Sequence, residues 1–243
     1  MKRRILIVFV VLGVIPRAAG AQAPTPPPPA REGSAEFSFV GTTGNASTQS
    51  VGLGGELIFR PDRWESKIKV SYIRNKSEEE LKAQSFVLSA RAQHPIHDRL
   101  SGYGQYGYQR DRFAGILDRH AIEGGVAYNW LDTAPQKLVV DGALGYANEQ
   151  RLLGENSSTA TLAGGGLYTL HVSSTSDLSE DGHFVVSLSD TSDWRYTNAI
   201  GLTAKISTIF SLKVSNSIRY LNLPVIGFKN TDVVTSVALV AKF

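Results

Sequence analysis

The stretch that decides the fold is residues 232–243, DVVTSVALVAKF, in which residue types alternate with a period of two. Val233, Val237, Leu239, Ala241 and Phe243 fall on one face of this segment. The other face includes Asp232 and Lys242. Period two is typical of a β-strand, whose successive side chains point to opposite faces of the sheet. The segment therefore predicts a strand with an apolar medium on one side and a mixed one on the other.

The same alternation recurs from residue 35 onward. It predicts twelve strands, near 35–41, 49–60, 64–74, 83–94, 100–110, 119–131, 136–148, 158–172, 177–189, 195–207, 210–221 and 230–243. Short connections alternate with longer polar ones, the longer ones being near 42–48, 75–82, 111–118, 149–157, 190–194 and 222–229. Short periplasmic turns and longer external loops are typical of outer-membrane barrels. We therefore predict an all-β fold, a transmembrane up-and-down antiparallel β-barrel of about 12 strands.

Charged residues within the strands occupy the face opposite to the apolar one. A Lys or Arg that faces lipid at mid-bilayer costs about 2–4 kcal/mol, so these side chains should point into the lumen. The predicted lumen-facing charges are Glu56, Lys67, Lys69, Arg91, Glu123, Asp141, Lys205, Lys213, Arg219 and Asp232. The sequence leaves open whether they line a narrow pore or plug the barrel with salt bridges, such as one between Lys213 and Glu123.

Aromatic residues provide a test of the topology that does not depend on loop lengths. If successive strands run up and down, the rings should form two girdles, because amphipathic rings belong at both membrane interfaces. The short-turn girdle would contain Phe59, Trp64, Tyr128, Trp130, Tyr168, Phe210 and Phe243. The long-loop girdle would contain Tyr72, Tyr108, Tyr146, Tyr196 and Tyr220.

The first residues are typical of an export signal. Lys2, Arg3 and Arg4 precede the apolar run 5–15, and small residues follow it. We predict a cleaved signal peptide at 1–21, a proline-rich periplasmic linker at 22–34 and a barrel at 35–243. The apolar run is too short for a transmembrane helix, which needs about 20 residues.

Composition narrows the function classes. The sequence has 25 basic and 22 acidic residues, but four of the basic ones fall in the predicted signal peptide, so the remainder is nearly neutral. The basic pI is therefore no argument for nucleic-acid binding. The absence of cysteine excludes a disulfide framework and thiol chemistry. A soluble sandwich or lipocalin-like barrel is the alternative fold, but it would place its apolar face inside and needs no aromatic girdles.

Several short stretches resemble a known family. They are Thr43-Gly44-Asn45, Arg60-Pro61 before Trp64, Arg110-Asp111-Arg112-Phe113-Ala114-Gly115, Leu131-Asp132-Thr133 and Leu202-Thr203-Ala204-Lys205. Together they resemble a bacterial outer-membrane family of unknown function that is often labelled salt-induced outer membrane protein. Phe243, which closes an alternating strand, resembles the C-terminal signal of outer-membrane barrels. The resemblance implies a barrel in the outer membrane of a Gram-negative bacterium and supplies no catalytic residues.

Candidate chemistry in the sequence is weak, and we predict no catalytic, cofactor-binding or metal-binding residues. His171-Val172-Ser173 has a spacing found in outer-membrane lipid hydrolases, but it lies at a short turn, on the predicted periplasmic side. His94 and His97 flank a short turn without a third ligand, and Glu78–Glu80 is a charge run in a predicted external loop. The glycines at 164–166 predict close approach of a lumen or a neighbouring backbone.

We therefore expect a non-enzymatic channel for ions or small polar solutes, with a mixed-charge lumen in which basic residues exceed acidic ones and with a link to salt or osmotic response. The alternative is a closed structural or interaction barrel whose external loops meet lipopolysaccharide or partners. Expected partners are outer-membrane lipid, lipopolysaccharide and the barrel assembly machinery, and no nucleic acid. The sequence does not predict the solute or the oligomeric state.

Overall fold

The computed structural model describes residues 28–42, 48–77 and 80–243. The predicted signal peptide and residues 22–27 of the predicted linker lie outside the described residues. Twelve strands form one closed sheet: β1 Arg31–Thr42, β2 Thr48–Phe59, β3 Glu65–Ser77, β4 Glu80–His97, β5 Leu100–Asp111, β6 Ile116–Asp132, β7 Gln136–Arg151, β8 Ser157–Ser173, β9 Ser176–Ser187, β10 Trp194–Lys205, β11 Phe210–Leu221 and β12 Thr231–Lys242. The predicted fold and strand number are confirmed.

Every strand pairs antiparallel with its neighbours in the sequence, and β12 returns to β1 to close the barrel. At the closing seam, Gly33 and Phe243 exchange two backbone hydrogen bonds, of 2.8 and 2.9 Å. The register then continues from Ser34 opposite Lys242 to Phe37 opposite Leu239. The chain ends of β1 and β12 therefore lie at the end of the barrel that carries the short turns.

Large apolar side chains cover the outside of the barrel. Ile122 and Leu144 are each 64% exposed, and similar residues recur on the outward face of all twelve strands. Exposing so continuous an apolar belt to water would be unfavourable, since each square ångström costs about 25 cal/mol. The outer surface is therefore suited to lipid, and the barrel spans a membrane. No helix in the described part of the chain is long and apolar enough for that task.

Several strands run further than the sequence predicted. β1 begins at Arg31, four residues before the expected boundary, so residues 31–34 belong to the barrel and not to the linker. At the long-loop end, β3 continues to Ser77 and β4 begins at Glu80, where a loop over 75–82 was expected. The apolar alternation stops at the membrane boundary, but the ladder of backbone hydrogen bonds continues into water, where polar side chains are tolerated on both faces of a strand.

Arg60 ties together the first turn at the short-turn end. Its guanidinium contacts Glu65 at 2.8 Å and Glu32 at 2.9 Å, and it donates to the carbonyl of Pro29 at 2.9 Å. Burial lowers the pKa of Arg60, but hydrogen bonds to the two carboxylates outweigh this effect and the pKa is raised. In the same turn, Asp62 adopts a φ of 51°, a left-handed conformation that Asp tolerates better than most residues.

Candidate channel lumen

Strand register places the ten sequence-predicted charges on the face opposite to the apolar belt. Glu56 stands opposite Lys69, and Lys67 stands opposite Arg91. Asp141 and Gly165 are paired, and Gly165 is in turn paired with His183. The inner face continues through Arg219 and Asp232, which are directly opposite each other on β11 and β12. Glu123, Lys205 and Lys213 share this face through their strand partners Gln105, Ser211 and Thr203.

The inner wall formed by β5 to β9 is packed. Tyr103 lies among small side chains, and the buried cluster there contains Tyr103, Ala127, Ala143, Ala163 and Val185. Arg91 places its guanidinium carbon 3.5 Å from the centre of the Tyr103 ring. The Tyr103 hydroxyl donates to Asp141 at 2.9 Å, so its polar end is also satisfied. This side of the lumen is therefore filled by side chains, because the small residues leave room for the Tyr103 ring to pack against the wall.

One strip of the inner wall on β9 to β12 is open, whereas inward residues nearer the short-turn end, Ser211, Ala238 and Val240, are buried. Asp181, Ala199, Ser217 and Val234 form a continuous row across β9 to β12, and all four residues are exposed. Asp181 has a side chain that is 51% exposed, although it points away from lipid. An inward residue can be exposed only to space inside the barrel. We call these four residues the open row.

Among the described residues, two ion pairs join strands on opposite sides of the lumen. Lys69 on β3 approaches Asp181 on β9 at 3.9 Å, and these strands are opposite each other in the ring of twelve. Arg219 on β11 contacts Asp111 on β5 at 2.6 Å, again across the whole barrel. Both pairs join walls that no backbone ladder connects, so they narrow the passage.

Two other lumen contacts differ from what was expected. Occlusion by a bridge between Lys213 and Glu123 was the example considered from sequence. In the structure Lys213 instead contacts Glu36 at 2.7 Å, two strands away, while Glu123 is 3.9 Å from His183. One buried oxygen of Glu123 has no hydrogen-bond partner among the described residues.

A cluster centred on Glu149 closes part of the long-loop end. Glu149 is 2% exposed and accepts hydrogen bonds from Arg195 at 2.6 Å, Arg151 at 2.7 Å and Arg119 at 3.0 Å. Asp193 adds a second carboxylate 3.5 Å from Arg151. Three cations around one buried carboxylate satisfy its oxygens and fasten β6, β7 and β10 together.

A loop covers the mouth at the same end. Residues 222–230 connect β11 to β12 and fold over the β5–β6 connection. Val225 is 4% exposed, and a Cβ placed on Gly115 would lie 2.6 Å from Val225 and 2.8 Å from Phe228. Gly115 also has a φ of +77°, so two independent constraints require glycine. We call residues 222–230 the mouth loop.

Several inward carboxylates are absent from the sequence prediction, among them Glu36, Asp111, Glu149, Asp177 and Asp181. The sequence predicts loops at Asp111 and Glu149, because the apolar alternation ends before their strands do. Asp181 follows Glu180, and these two adjacent acids interrupt the apolar alternation, so neither was among the lumen-facing charges predicted from sequence. Arg119, Arg151 and Arg195 were missed as well. The ten residues chosen from sequence have six basic and four acidic side chains, so these five acids more than cancel the basic excess, and the three arginines bring the eighteen residues to nine of each sign.

The aromatic residues predicted for the girdles lie near the strand ends. Trp64, Trp130 and Phe243 are 50%, 65% and 76% exposed at the short-turn end. At the other end, Trp194 stacks on Tyr220 with ring centres 4.9 Å apart. Strand pairing aligns the remaining predicted rings with these two ends: Phe59, Tyr128, Tyr168 and Phe210 at the short turns, and Tyr72, Tyr108, Tyr146 and Tyr196 at the long loops.

The weak chemical motifs do not assemble into a site. His171 Nδ1 lies 2.6 Å from Asp177 Oδ1, but the Ser173 hydroxyl contacts Thr175 and not the imidazole. His94 packs against Trp64, with ring centres 5.0 Å apart, and no group of three metal-ligating side chains occurs among the described residues. Glu78 and Glu79 lie outside the described residues. Gly165 lies close to Asp141 and His183 on the lumen side, as the glycine run predicted.

The fold defines this protein as a membrane-spanning β-barrel of the up-and-down class. The chain belongs to the family described as protein of unknown function, DUF481, whose profile matches residues 35–243. A search of curated proteins found no match.

Solved structures of other barrels are similar to this chain. A structure of the NanC porin is 11% identical, covering 88% of this chain and 98% of its own, with a TM-score of 0.48. The translocator domain of the autotransporter NalP from Neisseria meningitidis is 12% identical, covering 88% and 86%, with a TM-score of 0.46. An anion-selective porin from Comamonas acidovorans is 10% identical, covering 88% and 98%, with a TM-score of 0.42.

Proposed function

We propose that this protein is an outer-membrane channel for ions or small polar solutes, exported through a cleaved signal peptide and held largely closed in the state seen here. The observation that carries the proposal is the open row, an inward strip of the wall that is exposed although it does not face lipid. A barrel that served only as a closed anchor has no need of exposed inner surface.

Charge on the open side of the lumen supports a role in ion passage. Lys69 and Asp181 have side chains 45% and 51% exposed, so both charges remain hydrated and available to a passing ion. Their separation of 3.9 Å in a hydrated space gives a weak ion pair, worth about 0–1 kcal/mol. An ion pair this weak can break and form again each time the channel opens and closes.

The reversal potential in a salt gradient tests the proposal. Purified, folded protein in planar bilayers should give discrete current steps, and Asp181→Lys should shift the reversal potential toward anion preference. Asp98→Lys makes the same charge change in the exposed β4–β5 turn and should shift it far less. The proposal fails if folded protein gives no steps, or if both variants shift the potential equally.

A closed interaction barrel is the second candidate. It is favoured by the pair between Arg219 and Asp111 and by the buried Val225 of the mouth loop, which together obstruct the long-loop end. In this case the external loops, with lipopolysaccharide or a protein partner, would carry the function. Absence of conductance from both the wild type and a mouth-loop variant would favour this candidate.

Three further expectations belong to the same proposal. The salt link rests on a family label alone, and growth of a deletion strain in high NaCl would test it. Lipopolysaccharide contact would be tested by co-purification. Recognition of Phe243 by the assembly machinery would be tested by the outer-membrane level of a chain that lacks it.

A further inference from the structure

Four polar side chains break the apolar belt on the outside of the barrel. Glu180, Asn198, Asn216 and Thr235 lie on the consecutive strands β9, β10, β11 and β12. Ile200 on β10 is directly opposite both Glu180 and Asn216, and Asn216 is directly opposite Thr235. Ile200 is 37% exposed and belongs to the outward face, so its partners face outward as well. We call these four residues the outer polar patch.

The patch lies at membrane depth. Asn216 falls between Phe210 and Tyr220 of the two aromatic girdles on the same strand, and Asn198 lies on the membrane side of Tyr196. Glu180 is directly opposite Tyr168 of the short-turn girdle. On the described strands β2 to β8, outward side chains between the girdles are apolar or glycine, apart from tyrosines and Ser66, which is paired with Phe59 of the short-turn girdle. Amide and carboxylate side chains between the girdles are therefore confined to one side of the barrel.

Hydrogen bonds within the patch satisfy only part of its capacity. Asn198 donates to Glu180 at 3.0 Å, and Asn216 donates to Thr235 at 2.8 Å. Asn216 retains a second amide hydrogen and its oxygen, for which the described residues offer no partner. In hydrocarbon an unsatisfied polar group is costly, so a surface of this kind is stable when another protein surface covers it.

We propose that the outer polar patch is the contact between two copies of this chain in the membrane. Copies inserted in the same orientation are related by an axis along the membrane normal, which preserves depth. Amides meet amides under that symmetry, and since an amide both donates and accepts, the patch is complementary to itself. Beside the patch, Gly166 and Gly182 are directly opposite each other and face outward, which lets a neighbouring backbone approach closely.

Cysteine crosslinking tests this contact cleanly because the chain contains no cysteine. Ile200→Cys at the centre of the patch should give a disulfide-linked dimer in isolated membranes under mild oxidation. Val70→Cys, at a similar depth on the far side of the barrel, is the matched control and should remain monomeric. Adding Asn216→Leu to Ile200→Cys should reduce the dimer about tenfold, by removing interfacial hydrogen bonds while leaving an outward apolar residue that lipid tolerates.

Three results would overturn the proposal. They are equal crosslinking at both positions, a crosslinked fraction that Asn216→Leu leaves unchanged, and a monomeric Ile200→Cys in membranes where the protein is folded. A crosslink to a different polypeptide would also reject a second copy as the occupant. Heat-modifiable migration on gels reports folding of each variant separately, so failure to fold cannot be mistaken for loss of contact.

Discussion

Arg219 and Asp111 join opposite walls of the barrel. Their strands, β11 and β5, are six positions apart in a ring of twelve, yet Arg219 Nη2 lies 2.6 Å from Asp111 Oδ2. Asp111 is 5% exposed and also accepts from the backbone N–H of Ala114 at 3.1 Å. Asp232 contacts the same guanidinium at 2.8 Å, so one cation holds two carboxylates.

The two ion pairs that cross the lumen should differ in their contribution to stability. Arg219→Ala removes the guanidinium that contacts both Asp111 and Asp232 and should lower the free energy of unfolding by about 3–5 kcal/mol, since the Asp111 side of this contact is buried. Lys69→Ala breaks a hydrated pair and should lower it by about 0–1 kcal/mol. Urea titration in liposomes measures both values. Equal losses of unfolding free energy in the two variants would contradict the prediction that the buried pair contributes more than the hydrated one.

Substitutions at adjacent positions of one strand test which face meets lipid, because successive side chains of a strand face lipid and lumen in turn. Val70→Arg and Leu212→Arg should each destabilise the barrel by about 2–4 kcal/mol, because the new charge faces lipid near mid-bilayer. Lys69→Ala and Lys213→Ala should leave the barrel folded and alter only conductance or ion preference. Barrels that tolerate the arginines but unfold with the alanines would require the opposite assignment of faces.

Phe243 should matter for assembly more than for the stability of the folded barrel. Its ring is 76% exposed, so deletion removes one interfacial ring and two backbone hydrogen bonds to Gly33. We expect a lower outer-membrane level with little change in unfolding of the protein that does assemble. Immunoblots of membrane fractions measure the level, and a normal amount of the shortened chain would contradict the prediction.

Gly33 should resist substitution because the Phe243 ring lies over its α-carbon. A Cβ at this position would collide with the ring, so Gly33→Val should force the ring away and weaken the seam between β1 and β12. Ala35→Val, on the same face two residues further along β1, is the control. A lower urea midpoint for Gly33→Val alone is expected, and identical midpoints would contradict the contact.

The mouth loop should control access to the lumen. Val225→Asn puts an amide at a site that is 4% exposed and should loosen the loop, which raises the open probability in planar bilayers. Ile226→Asn makes the same change one residue away, at a side chain that is 72% exposed, and should have little effect. Unchanged gating in both variants would mean that the loop is not part of the barrier.

The local pattern of residues determines the number of strands, their direction and which face meets lipid. Period-two alternation is a property of neighbouring residues, so Val70 and Lys69 could be assigned to opposite faces from sequence alone. The strand ends could not be predicted in this way, because Asp111 and Glu149 lie beyond the apolar alternation, where the sequence predicts loops. Glu180 and Asp181 interrupt the alternation within β9, and strand register assigns Glu180 to the outward face and Asp181 to the lumen.

Contacts across the lumen were decided only by the tertiary structure. Strands six apart in the ring share no ladder, so nothing local relates Arg219 to Asp111 or Lys69 to Asp181. Barrel diameter, strand register and side-chain length together set which opposing charges meet, and this is why Lys213 reaches Glu36 instead of Glu123. The sequence alone determines that this chain forms a membrane barrel, whereas closure of its lumen depends on long-range geometry that no short stretch encodes.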